Sequence, residues 1–333
     1  MAAPSPRASD AKSHEEIYED ARQVVSTYET VPTGIVMDYH RHPDGWYMAL
    51  PVMVGAVVAQ QHFEARGTDV LLATIPKAGT TWIKALLYAA ANRTNDDNSS
   101  SYLFQQLASH NSHQLVPFLE TQLYTKDQIP DLSSLPSPRL FATHIPAGSL
   151  PASVAASGCK VVYLFREPKD CFVSLWHFMN TLTPWDMDEA VGRFCDGVSP
   201  YGPFWEHALG YWRWHVENPG QVLFLTYEEL TVDTLGQLKR LAEFIGRPFT
   251  AEEQEAGVDR DIVEACAMGS MVKQEVNRSG TTQIMEMQMP NEFFRRGLVG
   301  DWHNYLTPEM AGRIDEVTKS KFQGSGLMLP KEI

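Results

Sequence analysis

The chain has no apolar run of the roughly 18 residues that a membrane-spanning helix requires. Its nearest approach, Trp46 to Ala59, is shorter and is interrupted by Pro51 and Gly55. Met1 to Lys12 is small and polar, without the apolar segment of a secretory signal. Cysteine is scarce: Cys159, Cys171, Cys195 and Cys266 show no Cys-x-x-Cys pair and no repeated spacing. That argues against a zinc site and a disulfide framework, and fits a reducing cytosol. Cations are few as well, 27 Lys and Arg against 41 Asp and Glu, for a net charge of −14. Nucleic acid and anionic membranes are therefore poor partners. A Walker A loop is also missing, because Lys77 precedes the only Gly of its segment instead of following a second one.

An acidic protein that binds an anion must gather its few cations locally. Lys77, Arg166, Lys169, Arg295 and Arg296, each near Gly, Ser or Thr, are the cations to follow. With 333 residues, 44% of them hydrophobic, the chain can bury a sizeable core. No internal repeat or inter-domain linker is visible. Residues 1 to about 12 read as disordered, and Ser13 to Tyr28 as a polar helix. His40 to Pro51 reads as an aromatic loop, Asn92 to Ser101 as a polar loop and Pro130 to Pro138 as a break. Short buried strands are expected over Val70–Ile75, Arg139–Thr143, Lys160–Phe165 and Gln221–Thr226. Helices are expected over Trp82–Ala91 and Lys169–Asn180, and near 233–245 and 251–267. Strands alternating with helices imply one α/β domain: a central parallel sheet flanked by helices on both faces.

The segment Pro76-Lys77-Ala78-Gly79-Thr80-Thr81-Trp82 joins the first of these strands to a helix. A strand that breaks sharply into a helix start aims free N–H groups at one point, with the helix dipole behind them. Thr80 and Thr81 add hydroxyls and Lys77 a full charge, which makes a site for a phosphate or sulfate ester. The string from Val161 to Phe178 repeats the plan. Arg166 stands at the end of a strand, Pro168 near the first helical turn, and Ser174 about two turns on. Arg offers a bidentate fork to a phosphate. Ligands of open α/β sheets sit outside the carboxyl ends of the strands, so both loops would open on one crevice. Arg295-Arg296-Gly297-Leu298-Val299-Gly300-Asp301-Trp302 supplies a third group of cations with glycines that allow close approach.

These strings resemble the cytosolic sulfotransferases that use 3'-phosphoadenosine 5'-phosphosulfate (PAPS), and among them the plant members. The resemblance runs from about residue 40 to 325 through four motifs in family order. It implies the sulfotransferase fold with a P-loop-like strand–loop–helix, in a single domain over 31–330 after a polar, partly disordered extension over 1–30. It also implies that Lys77, Ala78, Gly79, Thr80, Thr81 and Trp82 meet the 5'-phosphosulfate and the adenine. Arg166, Ser174, Arg295, Arg296 and Gly297 would hold the 3'-phosphate, with Tyr227 at the adenine edge and Met268 as a soft apolar surface beside it. Departures are visible too. Arg296 stands where Lys is usual, and His303 with Pro308 disturbs the dimer-contact pattern of animal relatives. Cys266-Ala267-Met268 replaces the usual Thr-Ser-Phe.

Among eleven histidines, His144 follows the strand Leu140–Thr143 and borders the same crevice. The string Thr143-His144-Ile145-Pro146 resembles the family segment that bears the catalytic base, with Ala142 where animal relatives have Lys. A neutral imidazole can take a proton from a hydroxyl, and Lys77 can stabilise charge on the leaving phosphate. His110 and His113, three apart, read as surface residues rather than a metal pair.

The implied activity is sulfuryl transfer from PAPS to a hydroxyl of a small, largely apolar acceptor, such as a flavonoid, a steroid or another plant hormone or secondary metabolite. No metal is expected, and the implied setting is cytoplasmic, as a monomer or weak homodimer. A nucleotide kinase lacks its motifs here. A non-catalytic ligand-binding protein of the same fold would need a damaged Lys77 or His144. The aromatic segment 183–214, with Trp185, Tyr201, Trp205 and Tyr211, is either a helix pair on the core or a wall of the acceptor pocket. Pocket shape depends on the loops near Trp46, Phe178, Trp185 and Met285–Pro290.

Overall fold

In the computed structural model the described residues are 12–32, 38–93, 97–278, 281–284, 287–290 and 294–329, with backbone alone over 97–101 and 281–290. The disorder expected before Lys12, and Ser279, Gly280, Met285 and Phe293, lie outside them. Strands β1 (Glu29–Val31), β2 (Tyr39–His42) and β3 (Gly45–Met48) form an antiparallel sheet. Strands β4 (Val70–Thr74), β5 (Leu140–Thr143), β6 (Lys160–Phe165) and β7 (Val222–Thr226) form a parallel sheet in the order β5-β4-β6-β7. Strands β8 (Thr281–Ile284) and β9 (Met287–Pro290) pair with each other.

The parallel strands are apolar along nearly their whole length because both faces of their sheet are covered. Successive side chains alternate between two cores. Leu71, Tyr163 and Phe224 pack with the helices His14–Ser26, Leu50–His62, Phe204–Glu217 and Pro308–Phe322. Leu72, Val162 and Leu225 pack with Thr80–Asn92, Thr234–Phe244 and Val258–Ala265. Each fully buried aliphatic side chain contributes roughly 1.5–3 kcal/mol, so the register of the sheet is strongly specified. A doubly covered parallel sheet is the α/β architecture expected from the alternation of elements.

Four local readings change. His40 to Pro51 is not a loop: β2 and β3 form a hairpin with Arg41 opposite Trp46, and a helix begins at Leu50. That helix, Leu50–His62, is buried from Val52 to Ala59, so its sequence carries no amphipathic period. The polar stretch after Asn92 includes the start of a helix, Asp97–Ser109. The helix expected over 251–267 is two, Ala251–Ala256 and Val258–Ala265, parted by Gly257 at φ 82°. That left-handed conformation ends a helix and suits glycine.

The register matters most for function. Ala73 lies opposite Thr143, Thr74 opposite Leu164, and Phe165 opposite Thr226. The residues that follow the strands therefore stand in a row along one edge: His144, the Pro76–Gly79 turn, Arg166 and Tyr227.

Candidate active site

That edge opens into a cavity of about 1180 Å³, its mouth included. His144, Lys77, Gly79, Thr80, Thr81, Trp82, Arg166, Ser174, Tyr227, Met268, Arg295 and Gly297 all line it. Two expected residues do not. Ala78 is fully buried, and Arg296 is half exposed and paired with Asp301 at 3.1 Å. Lys169, a third cation followed in the sequence, is held by Asp315 at 2.5 Å and Glu167 at 3.4 Å.

The turn after β4 is shaped by two left-handed residues, Lys77 at φ 71° and Gly79 at φ 108°. A Cβ on Gly79 would stand 2.7 Å from the Tyr227 ring, so only glycine fits there. Gly79 caps the helix Thr80–Asn92 without a side-chain hydrogen bond or a first-turn acid. Its first N–H groups are thus left for an anion. Lys77 Nζ lies 4.6 Å from the Phe178 ring centroid. Burial, and then the nearby Arg166, pull its pKa from the usual 10.5 to about 8. Among the described residues no carboxylate pairs with Lys77, so a bound anion would supply its counter-charge.

After β6, Arg166 donates to Lys77 O at 3.3 Å and to Leu298 O at 3.1 Å. Its guanidinium lies over the Tyr227 ring at 4.4 Å, and its Nε is buried without a protein partner. Asp170 stands 3.8 Å away and is itself occupied, accepting from Gly300 N at 2.7 Å and Trp302 N at 2.9 Å. These bonds fasten the loop of Arg295 and Gly297 beside Arg166. Tyr227 donates to Gly297 O at 3.0 Å, and a Cβ on Gly297 would collide with Met268 Cε at 1.9 Å. Trp82 meets Tyr227 edge-on at 5.6 Å, with its own Nε1 buried and unpaired. Unpaired buried donors cost free energy unless a ligand accepts from them. Arg166 Nε, Trp82 Nε1 and the bare helix start thus fit an adenine nucleotide bearing two anionic groups.

His144 is fixed at three points. Its Nδ1 lies 2.6 Å from Thr74 O, its backbone N–H donates to Glu120 Oε1 at 2.7 Å, and its carbonyl is 2.9 Å from His207 Nε2. A carbonyl only accepts, so Nδ1 carries the proton and Nε2 keeps its lone pair. Burial lowers the pKa from 6.5 to about 3, so the ring is neutral at pH 7.

His113, expected on the surface, is buried and lines the cavity. The short helix Ser112–Leu115 carries it inward against Phe118, with ring centroids 5.4 Å apart and 21° between planes. Its companions, Lys84 and Glu120, are also fully buried. The sequence offered one signal for them: Lys84 follows Thr81 by three residues, on one helix face, inside an otherwise apolar run. Within 183–214, Phe194, Phe204, Trp205 and Tyr211 belong to the core, and among the described residues only Pro200 and Tyr201 reach the cavity. Trp46, Tyr47 and Trp185 do not line it, whereas Met48, Phe178 and Met179 do. Among the described residues, no group of three His, Cys, Asp or Glu side chains is placed to hold a metal, and no helix is long and apolar enough to cross a membrane.

A family model described as a sulfotransferase domain matches residues 67–326, well over half of the chain. Cytosolic sulfotransferase 15 of Arabidopsis thaliana is 46% identical over 274 residues, 80% of this chain and 76% of that protein. A crystal structure of an Arabidopsis thaliana protein classed provisionally as a steroid sulphotransferase is 36% identical. It superposes with a TM-score of 0.75 over 99% of this chain and 100% of that one. A mouse sulfotransferase crystallised with PAP is 24% identical, with a TM-score of 0.67 over 86% and 95% of the two chains, and shares the fold.

Proposed function

The chain belongs to the sulfotransferase family and is a PAPS-dependent sulfotransferase; on that premise we propose that it sulfates a hydroxyl of a small, largely apolar acceptor, with His144 as the base. PAPS supplies an activated sulfuryl group, and the chain's own side chains and backbone N–H groups are assigned the proton transfer and the charge on the leaving phosphate. The observation that carries this reading is the 2.6 Å contact between His144 Nδ1 and Thr74 O, which sets the tautomer. With Nδ1–H given to Thr74 O, the bare Nε2 is left to take the acceptor's proton. Lys77 and the N–H groups of the turn that ends in Thr81 stand where the leaving phosphate gains charge. Arg166, Ser174, Arg295 and Gly297 are assigned to the 3'-phosphate, and Arg296, which does not line the cavity and pairs with Asp301, to holding that loop. Trp82, Tyr227 and Met268 are assigned to the adenine, and Ala78 to the turn's backbone.

The apolar part of the cavity lining, with Met48, Phe118, Leu175, Phe178, Met179 and Tyr201, supports an apolar acceptor. A flavonoid, a steroid or another plant hormone or secondary metabolite fits that description, and the plant relatives favour it. The names of those relatives favour a cytosolic enzyme. We assign one catalytic domain that takes in the helix His14–Ser26 as well as 31–330, because Tyr18, Ala21 and Val25 of that helix lie in its core, and take the protein as a monomer or weak homodimer.

The test is turnover with labelled PAPS and a panel of hydroxylated acceptors. His144→Ala and Lys77→Ala should each lower it at least about 100-fold. The His144 variant should still bind PAP, the nucleotide product. Near-normal turnover by His144→Ala would remove it as the base.

A further inference from the structure

Two buried side chains, Lys84 and His113, connect to the half-buried Thr81 at the end of the Lys77 turn. Lys84 Nζ is 3.0 Å from His113 Nδ1, and His113 Nε2 is 3.2 Å from Thr81 Oγ1. The line is held from outside. His113 N donates to Asn111 Oδ1 at 2.9 Å, and Asn111 Nδ2 to Asn277 Oδ1 at 2.9 Å. Ser112 Oγ donates to Thr81 O at 2.9 Å, which ties the His113 segment to the helix that carries Thr81.

Direction follows from chemistry. An ammonium has only donors, so Lys84 as a cation must donate to Nδ1 and push the imidazole proton to Nε2. Two features favour the cation: Nζ sits 3.3 Å from the Phe118 ring centroid, and Glu120 is its buried counter-charge. Burial opposes it, pulling the Lys84 pKa well below its usual value. Burial, with Lys84 next, also holds the His113 pKa well below 6.5, which keeps the ring neutral. A neutral ring with Nε2–H can only donate to the Thr81 hydroxyl oxygen. The hydroxyl hydrogen is then left to point elsewhere, and Thr81 lines the cavity.

We propose that Lys84 and His113 form a buried donor relay that holds the Thr81 hydroxyl aimed at the anion in the Lys77 turn. Both are positioning residues on the leaving-group side, and the proposal rests on the sulfotransferase reading of that turn. His113 and His144 then work in one cavity with opposite tautomers. His144 presents a lone pair where a proton leaves the acceptor. His113, through Thr81, presents donors where negative charge collects on the leaving phosphate.

The first test needs no ligand. In protein labelled with ¹⁵N-histidine, the imidazole resonances of His113 should report Nε2–H and a bare Nδ1, and those of His144 the reverse; His113→Gln and His144→Gln assign the signals. A His113 protonated at Nδ1, or at both nitrogens, overturns the relay. The second test is a cycle of Thr81→Val, His113→Phe and the double variant, read in PAP affinity and in turnover. His113→Phe keeps the stack on Phe118 and should lower turnover about tenfold, with at most about a threefold loss of PAP affinity. In the Thr81→Val background it should add almost nothing, and His113→Gln, which restores a donor near Nε2, should recover part of the loss. Fully additive effects with normal PAP binding would overturn the relay alone. Failure of the unaltered protein to bind PAP would overturn the function assigned to the turn, whatever tautomer His113 adopts.

Discussion

The two walls of the cavity use buried charge in opposite ways. On the wall made by the turns after β4 and β6, burial first and then the cations Arg166 and Arg295 lower the Lys77 pKa to about 8. On the wall made by residues 113–120, Lys84 and Glu120 are sealed from solvent and each acts on the other. On the function proposed, the first wall is completed by a bound anion, with Arg295 already paired to Asp301. The second is complete by itself and holds its neighbours in place. Removing charge from the first should therefore cost function, and from the second, stability.

The largest expected effect is on the sealed wall. Glu120→Ala strips the acceptor from His144 N and from Thr143 Oγ1, at 2.7 and 2.9 Å, and leaves Lys84 without its counter-charge. Leaving those two buried donors unsatisfied costs about 1–3 kcal/mol each, which urea unfolding would read. A loss below about 1 kcal/mol would show that the two walls do not differ. Lys77→Met should do the reverse: turnover falls about 100-fold while stability stays within about 0.5 kcal/mol or rises. A Lys77→Met protein as unstable as Glu120→Ala would erase the comparison.

Smaller effects follow from titration. Lys77 binds an anion only when protonated, and its pKa of about 8 in the empty protein lies below the usual 10.5. PAP affinity measured by calorimetry should hold below pH 8 and fall as pH rises above it, by up to about tenfold per unit. Lys77→Arg should flatten that profile, and an unchanged slope would assign the titration to another group. His144 has the opposite sense for stability. Its folded pKa of about 3 lies below 6.5, so the unfolded chain binds more protons between those values. Its neutral burial is without cost above pH 6.5, and stability falls as pH drops from there toward 3, by at most about 1.4 kcal/mol per unit. His207, brought to about 4 by burial, adds to the same slope. A stability curve flat from pH 7 to 5 would mean that neither ring is buried neutral.

The same two walls differ in how well the sequence announces them. Parallel strands covered on both faces read as apolar runs, and the residues that end them are polar. So Lys77, His144, Arg166 and Tyr227 stand out along the chain, and the register of β4–β7 brings them to one edge. Lys84, His113 and Glu120 take their meaning only from meeting in space. His113 sits on a four-residue helix, and Glu120 in the single π-turn Leu119–Leu123, neither of which has a periodic signal. The helix Leu50–His62 was hidden for a related reason: buried all round, it has no polar face to mark its period. Trp205 and Tyr211 show the converse, a conspicuous aromatic cluster that is simply core, with Trp205 Nε1 satisfied by Thr318 Oγ1 at 2.8 Å.

The central claim is that the open wall is built for a donor with two separate anionic groups, one in the Lys77 turn and one at Arg166. Its most direct measurement is the calorimetric affinity of PAPS and of adenosine 5'-phosphosulfate, which lacks the 3'-phosphate, for the unaltered protein and for Arg166→Ala. Charge-assisted hydrogen bonds contribute roughly 1.5–3 kcal/mol each, so two or three should favour PAPS by several hundred-fold or more. Arg166→Ala should narrow that gap by weakening PAPS while barely changing the shorter donor. Equal affinity of the unaltered protein for both donors would contradict the account.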